Sequence, residues 1–302
     1  MFGLKLPEVR PGDNLADLIV GAAEDAGVGV RDRDVIVVAS KIVSKARGLL
    51  YRVDRVSPSR EACKVAGKAG LDPRFVELVL RESDEVVAAV PMLRLVREGL
   101  VRMDRLFSGE EAWRLLEEYP TMLVTVRNGG IWSDSGLDSS NHPPGTFSYP
   151  PRNPDEEARK LSEAIQKLTG RRVAVVISDT EIFLRGSIDV ARGSYGVPPV
   201  DRGFGRPDRY GKPKYGGVDC VADELAAAAA LLMKQTGEGV PVVVVRGLSY
   251  DWSDEGISQY RIVDVGDLAR ILVATVKHTA RVLGVFRALK NVLKLAFMFL
   301  VS

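Results

Sequence analysis

Three short β-branched runs, VIVVA at 35–39, VAVVIS at 173–178 and VPVVVV at 240–245, show no alternation of apolar and polar residues. A strand with one face in water needs that alternation, so each run is expected to be covered on both faces. Helices must do the covering. GDNLADLIVGAAEDAG (12–27) has helical spacing, with Leu15, Leu18, Ile19 and Ala22 on one face, Asp13 or Asn14 as N-cap and a stop at Gly27. Further helices are predicted at 59–69, at 73–82 behind Pro73, at 109–119, at 154–170 with acids in its first turn, and at 220–235. Strands are predicted at 85–90, 93–97 and 121–126, and 193–217 reads as a long Gly-, Pro-, Arg- and Tyr-rich loop. The mixture predicts an α+β (mixed α/β) fold rather than the regular alternation of a dinucleotide-binding sheet.

Among 302 residues, 42 Lys and Arg nearly cancel 40 Asp and Glu, so no global basic field points to nucleic acid. Cys63 and Cys220 form no CxxC pair, which argues against a disulfide framework or cysteine zinc site and makes the cytoplasm the expected location. No signal-peptide pattern opens the chain. The apolar C-terminal stretch is interrupted by Arg287, Lys290 and Lys294, so no transmembrane segment is expected.

No GxGxxG follows a strand, and GRPDRYGKP (205–213) places Pro213 where a phosphate-binding loop has Ser or Thr. With only His142 and His278, histidine-rich zinc centres and triads have few candidates, and a metal here should be hard and oxygen-bound. That leads to SDSGLDSSN (133–141), with Asp138 and Asn141, and to SDT (178–180), where Asp179 and Thr180 leave a buried strand. Such oxygens suit Mg²⁺ or Mn²⁺ beside nucleotide phosphates, although Asp after a strand also serves as a cap or turn residue. Ser40, Lys41 and Lys45 follow another covered strand and could hold phosphates as point charges, or be a turn serine and solvated lysines.

PEVRPGDNLADLI, DVIVVASKIVSKARG, SGLDSSN, VAVVISDT, DCVADELAAAAALLM and GVPVVVVRGL occur in the order and at the approximate separations of the coenzyme F-420-0:L-glutamate ligase family. The chain resembles a member or close paralogue of that family over about residues 5–249. The resemblance implies a two-lobed fold with mixed sheets and flanking helices, a homodimer, and amide-bond formation between F-420-0 and L-glutamate. It further implies GTP as co-substrate, an acyl phosphate, two Mn²⁺ or Mg²⁺ per site, and a monovalent cation as a further candidate. Position by position, Leu6, Pro7, Glu8, Ser40 and Lys41 would line the nucleotide, Lys45 would meet its phosphates, and Asn141 would contact it. The loop Met233, Lys234, Gln235, Thr236, Gly237, Glu238, Gly239 and Val240 would close over it. Asp138 and Asp179 would bind one metal, with Thr180 and Gln235 on the second; Asp138, Asp179 and Lys45 would carry the catalysis.

Some segments depart from the family pattern. DTEIFLRGS (179–187) lacks the usual Gly-Arg pair and is about two residues shorter, leaving Arg185 as the candidate for holding the acceptor. Asp134 stands where the family motif has Asn, and the stretch from about 98 to 125 is longer. The same ligase chemistry on another acceptor, and a nucleotide-binding paralogue without turnover, are the rival readings.

The catalytic domain is expected to occupy residues 1–250 and an amphipathic helical extension residues 251–302. In the extension, Val282, Val285, Leu289, Val292, Leu293, Ala296 and Leu300 share one face, and Arg287, Lys290 and Lys294 another. A basic amphipathic helix can lie on a membrane surface, but packing on the body or on a dimer partner is the expectation.

Overall fold

The computed structural model describes residues 1–102, 109–183, 186–234, 236–260, 263–288, 291–292 and 294. Its central sheet has five strands in the order β1 (Phe2–Leu4), β12 (Val242–Val245), β2 (Val35–Ala39), β8 (Ala174–Phe183) and β9 (Gly186–Tyr195). β2 and β8 run parallel, and the other neighbours antiparallel.

Both faces are covered, as the uniform apolar runs require. Ile36, Val38, Val175, Ile177, Val242 and Val244 share a core with α1 (Leu15–Asp25), α2 (Ser40–Ala46) and α7 (Pro154–Thr169). Val35, Val37, Val176 and Val243 face the other way, towards α8 (Val221–Met233). Successive strand residues therefore enter different cores, each gaining roughly 1.5–3 kcal/mol for a buried Val or Ile.

Caps set the helix boundaries. Asn14 accepts the Ala16 N–H at the start of α1, Asn153 accepts from Glu156 at the start of α7, and Gly170 ends α7 at φ 70°. Gly193 lets β9 approach α7, since a Cβ there would lie 2.4 Å from the Pro154 carbonyl carbon.

The second lobe contains β4 (Glu85–Val90), β5 (Met122–Arg127) and β6 (Gly130–Ser133) as an antiparallel sheet. α3 (Arg60–Ala69) and α4 (Pro73–Glu82) share its core, in which Phe75, Val76, Leu78, Val79, Leu123 and Phe147 are buried. A buried Arg127–Glu82 pair at 3.0 Å, with the Tyr51 hydroxyl donating to Glu82 at 2.7 Å, ties its elements together. β3 (Leu50–Arg52) pairs with β7 (Thr146–Ser148) beside it. The whole architecture is α+β.

Segment 93–97, expected as a strand, lies instead in the short helix α5 (Met92–Arg97), which is followed by α6 (Glu110–Glu118). Its Leu-Arg-Leu-Val-Arg order satisfies both periods over so few residues, and the Leu95 N–H closes a helical turn on the Pro91 carbonyl. The expected loop 193–217 is shortened at its start by β9, and β10 (Asp201–Arg202) pairs with β11 (Val218–Asp219) around its remainder.

Beyond residue 250 the chain stays on the body for a further stretch. Tyr250 is buried, Trp252 packs edge-on against Tyr195 at 5.6 Å under the Arg172 guanidinium, and Ser258 bonds to Asp155. The tail helix itself is α9 (Leu268–Leu283), none of whose residues is buried. Leu289, Leu293, Ala296 and Leu300 of the expected apolar face, and Lys290 of the basic one, lie outside the described residues.

Candidate functional site

The site begins where β2 ends. Its parallel pairing with β8 stops at Ala39 opposite Ser178, and α2 starts at the next residue, Ser40. β8 does not stop there. It continues through Asp179 and Thr180 to Phe183, paired with β9 alone, after a register shift between Ile177 and Ser178. The expectation that Asp179 and Thr180 stand at a strand tip is corrected: they sit within the strand, just past the point at which one neighbour is lost.

The helix-opening stretch Ser40–Ala46 places Lys41 and Lys45 one turn apart, so both ammonium groups reach the same loop. Lys41 Nζ lies 2.8 Å from Asp138 Oδ2 and also bonds the Ser140 hydroxyl. Lys45 is almost fully buried, and its Nζ donates to Glu8 Oε1 at 2.7 Å and to the Asn141 carbonyl. Backbone bonds between Asp138 and Ser148 fix that loop at its base. Asn141 adopts the left-handed region at φ 56° and donates through Nδ2 to the Thr236 carbonyl, joining two segments 95 residues apart.

The 236–240 loop is held from both sides. Glu238 accepts from the Thr236 N–H and hydroxyl, and the Gly239 carbonyl accepts the Leu6 N–H at 3.2 Å. Leu6, Pro7, Glu8, Ser40, Lys41, Lys45, Asn141 and the 236–240 loop thus form one neighbourhood. Met233 differs: its side chain is buried in the core beneath α8, which leaves only its backbone for the loop. Lys234 takes φ 55° at the end of α8 and is exposed, as is Gly237. Gln235 and Arg185 lie outside the described residues.

Two carboxylates, Asp138 and Asp179, influence each other and are shifted in opposite directions. Burial disfavours the charge on Asp138, but Lys41 and the Ser140 donors outweigh it and hold the group below its ordinary value. Burial pushes Asp179 up to about 6, with repulsion from Asp138 adding to it, against relief from Arg192, Ser40 and the Thr180 N–H. A divalent cation between them would remove that repulsion, and a carboxylate pair with nearby hydroxyls is a hard-oxygen set of the kind Mg²⁺ or Mn²⁺ takes. Among the described residues no three His, Cys, Asp or Glu side chains converge as a metal cluster. Hydroxyl and phosphate oxygens would have to complete the shell. Thr180 offers a hydroxyl oxygen next to Asp179, and that hydroxyl donates to Asp189 at 2.8 Å.

Asp189 carries no short-range sequence signal that would select it. It lies opposite Thr180 on β9, is buried, and also accepts from the Ser178 hydroxyl at 3.1 Å. Arg192 carries none either. Its guanidinium pairs with Glu181 and lies 3.7 Å above the Trp132 ring. Only the register of β9 against β8 brings either to the site, and short-range patterns carry no such register.

Arg192 also links the carboxylates to a cavity of about 1050 Å³, since it stabilises the Asp179 charge and lines the cavity wall. Arg127, Trp132, Arg152, Glu181 and Tyr260 line it as well. Gly136, at φ 73°, shapes this region because a Cβ there would lie 2.7 Å from the Trp132 ring. Asp134, at φ 45°, accepts the Leu123 N–H through Oδ1 at 2.9 Å, and burial lifts its carboxyl to about 6. His142 bonds the Ser140 carbonyl through Nδ1, and burial lowers its proton affinity.

A family model described as F420-0:Gamma-glutamyl ligase matches residues 3–247. The chain is 36% identical over 248 residues to the coenzyme F420:L-glutamate ligase of Methanosarcina mazei, covering 82% of this chain and 84% of that protein. It is 38% identical over 246 residues to the protein of the same name from Archaeoglobus fulgidus, covering 81% and 85%. For that of Methanothermobacter thermautotrophicus the identity is 37% over 258 residues, covering 83% and 90%.

Proposed function

The chain belongs to the F420-0:gamma-glutamyl ligase family, and from that premise we propose that it joins L-glutamate to coenzyme F-420-0 in a reaction driven by GTP. The observation that carries this reading is the meeting of Lys41, Lys45, Asp138 and Asp179 where β2 ends, with Asn141 tying the carboxylate loop to the 236–240 loop.

A carboxylate is a poor acyl donor because its leaving group would be oxide, so it must first be phosphorylated. In the proposed reaction the acceptor carboxylate attacks the γ-phosphorus of GTP and GDP departs with the broken bond's electron pair. The amine of glutamate then attacks the acyl carbon, loses a proton, and expels inorganic phosphate. Lys45 and Lys41 would bind and orient the phosphates, which is most of what a protein contributes to phosphoryl transfer. Asp138, Asp179 and Thr180 would hold Mg²⁺ or Mn²⁺, which when bound supplies charge neutralisation for the phosphates. Asp189 would keep Thr180 in place. The cavity beside Arg192 has the size, the aromatic wall and the arginines to hold an aromatic acceptor carrying anionic groups, with its reacting carboxylate towards Asp179.

Glu181 and Ile182, the start of the segment after Thr180, line the same cavity, and the departure of that segment from the family pattern motivates a second reading in which the chemistry is kept and the acceptor differs. Mass spectrometry of F-420-0 incubated with the protein, L-glutamate, GTP and Mn²⁺ separates the two. A gain of one or more glutamyl units supports the first reading. Unchanged F-420-0, under conditions in which GTP is turned over with another carboxylate acceptor, refutes it.

A further inference from the structure

Residues 268–302 contain six of the chain's 42 Lys and Arg residues and none of its 40 Asp and Glu residues. They also lie outside the family match, which ends at residue 247. Within α9, Arg270, Lys277 and Arg281 follow one another at spacings of seven and four, which sets them along one side. Leu268, Leu272, Val276 and Leu283 occupy the opposite side by the same spacing rule.

Leu268, Leu272 and Val276 are half-buried, and the apolar exposure gathers at the end of the helix and just past it, where Val282 is 62% exposed, Leu283 50%, Val285 61% and Phe286 92%. Large exposed apolar side chains cost free energy in water unless something covers them. The charge pattern selects what does. Arg270 is paired with Asp267 at 2.7 Å at the helix start, and beyond it Lys277, Arg281 and Arg287 follow with no acid among exposed apolar side chains, a pattern that complements an anionic, apolar-cored surface.

We propose that the segment Leu268–Arg287 is an interfacial anchor that lays this protein on an anionic phospholipid surface, with Val282, Leu283, Val285 and Phe286 in the headgroup region. Among the described residues no helix is long and apolar enough to cross a membrane. The inference does not depend on the ligase reading.

The test is flotation of the full chain with phosphatidylcholine vesicles, with and without phosphatidylglycerol, at low and high salt. Binding should require the anionic lipid and fall with salt. Lys277→Glu combined with Arg281→Glu should weaken it on the order of tenfold or more, because each cation near such a surface contributes independently. Phe286→Ser should weaken it without altering the salt dependence, and both variants should keep the wild-type melting temperature. Equal binding to neutral vesicles, or no binding by the wild type, overturns the proposal. So does a charge-reversed variant of lower light-scattering mass whose parent never floats, which would make this surface a contact between copies of the chain.

Discussion

The pairing of Lys45 with Glu8 makes two neighbouring substitutions behave in opposite ways. The side chain of Lys45 is 6% exposed and that of Glu8 is 63% exposed, although the two atoms in contact are 2.7 Å apart. In Lys45→Met the carboxylate left behind is already mostly in water and rehydrates, so only the Asn141 carbonyl loses a buried donor. The folded state should change by no more than about 1 kcal/mol. Nucleotide binding should suffer more, because an ammonium–phosphate hydrogen bond contributes about 1.5–3 kcal/mol, or roughly a 10- to 150-fold loss of GTP affinity. Glu8→Gln reverses the pattern. It keeps an oxygen acceptor but removes the negative charge beside a buried ammonium, and should lower the stability of the nucleotide-free protein by about 1 kcal/mol, discounted for the exposure of Glu8. GTP would restore the missing negative charge, so its stabilising effect should be larger in this variant than in the wild type. Calorimetric titration with GTP and Mn²⁺, alongside thermal unfolding with and without GTP, measures both quantities. Wild-type GTP affinity in Lys45→Met, or a GTP-induced shift in Glu8→Gln smaller than that of the wild type, would refute the reasoning.

Asp179→Asn and Asp138→Asn should each lower turnover roughly 100-fold or more while leaving the melting temperature near that of the wild type, as expected for loss of a preorganised charge; near-normal kinetics at saturating Mn²⁺ in either would remove that residue from the site. Asp134 provides a pH test on stability, because its folded-state value of about 6 lies above the ordinary 3.8. The folded form therefore takes up its proton first, so this group opposes folding above pH 6 and its penalty fades as pH falls from 6 towards 4. Asp134→Asn keeps an oxygen for the Leu123 N–H and suits the positive φ better, so it should raise stability at pH 8 by roughly 1–2 kcal/mol and do little at pH 4. Denaturant unfolding at the two pH values checks this, and equal changes at both would contradict it.

The parts of this molecule that were legible in the sequence are those set by local periods. β2, β12 and the first half of β8 announced themselves through uniform β-branched runs, and α1, α4 and α7 through apolar spacing with recognisable caps. β9 did not, because GSIDVARGSY has little strand propensity and becomes a strand by pairing along the whole of β8. Asp189 and Arg192 were lost with it. Lys41, Lys45, Asp138 and Asn141 could be selected from their positions after covered strands and in a glycine-bearing loop. Their mutual contacts span close to 100 residues and follow only from the closure of the two lobes.

The early end of β2 has a consequence for how such a site can change. Asp179 is anchored by the sheet interior through Ser178, whereas everything from Thr180 onward belongs to a two-stranded ribbon whose outer end pairs Phe183 with Gly186. In an antiparallel ribbon each rung consists of one residue from either strand, and side chains alternate between faces along both. Removing residues in pairs shortens the ribbon by whole rungs without rotating those that remain. The shortening after Thr180 that the sequence pattern suggests would be a change of that kind. In the proposed ligase, reach towards the acceptor would thus be trimmed in steps while the carboxylates stay where the core puts them, so that selectivity and chemistry would vary as separate coordinates of one strand.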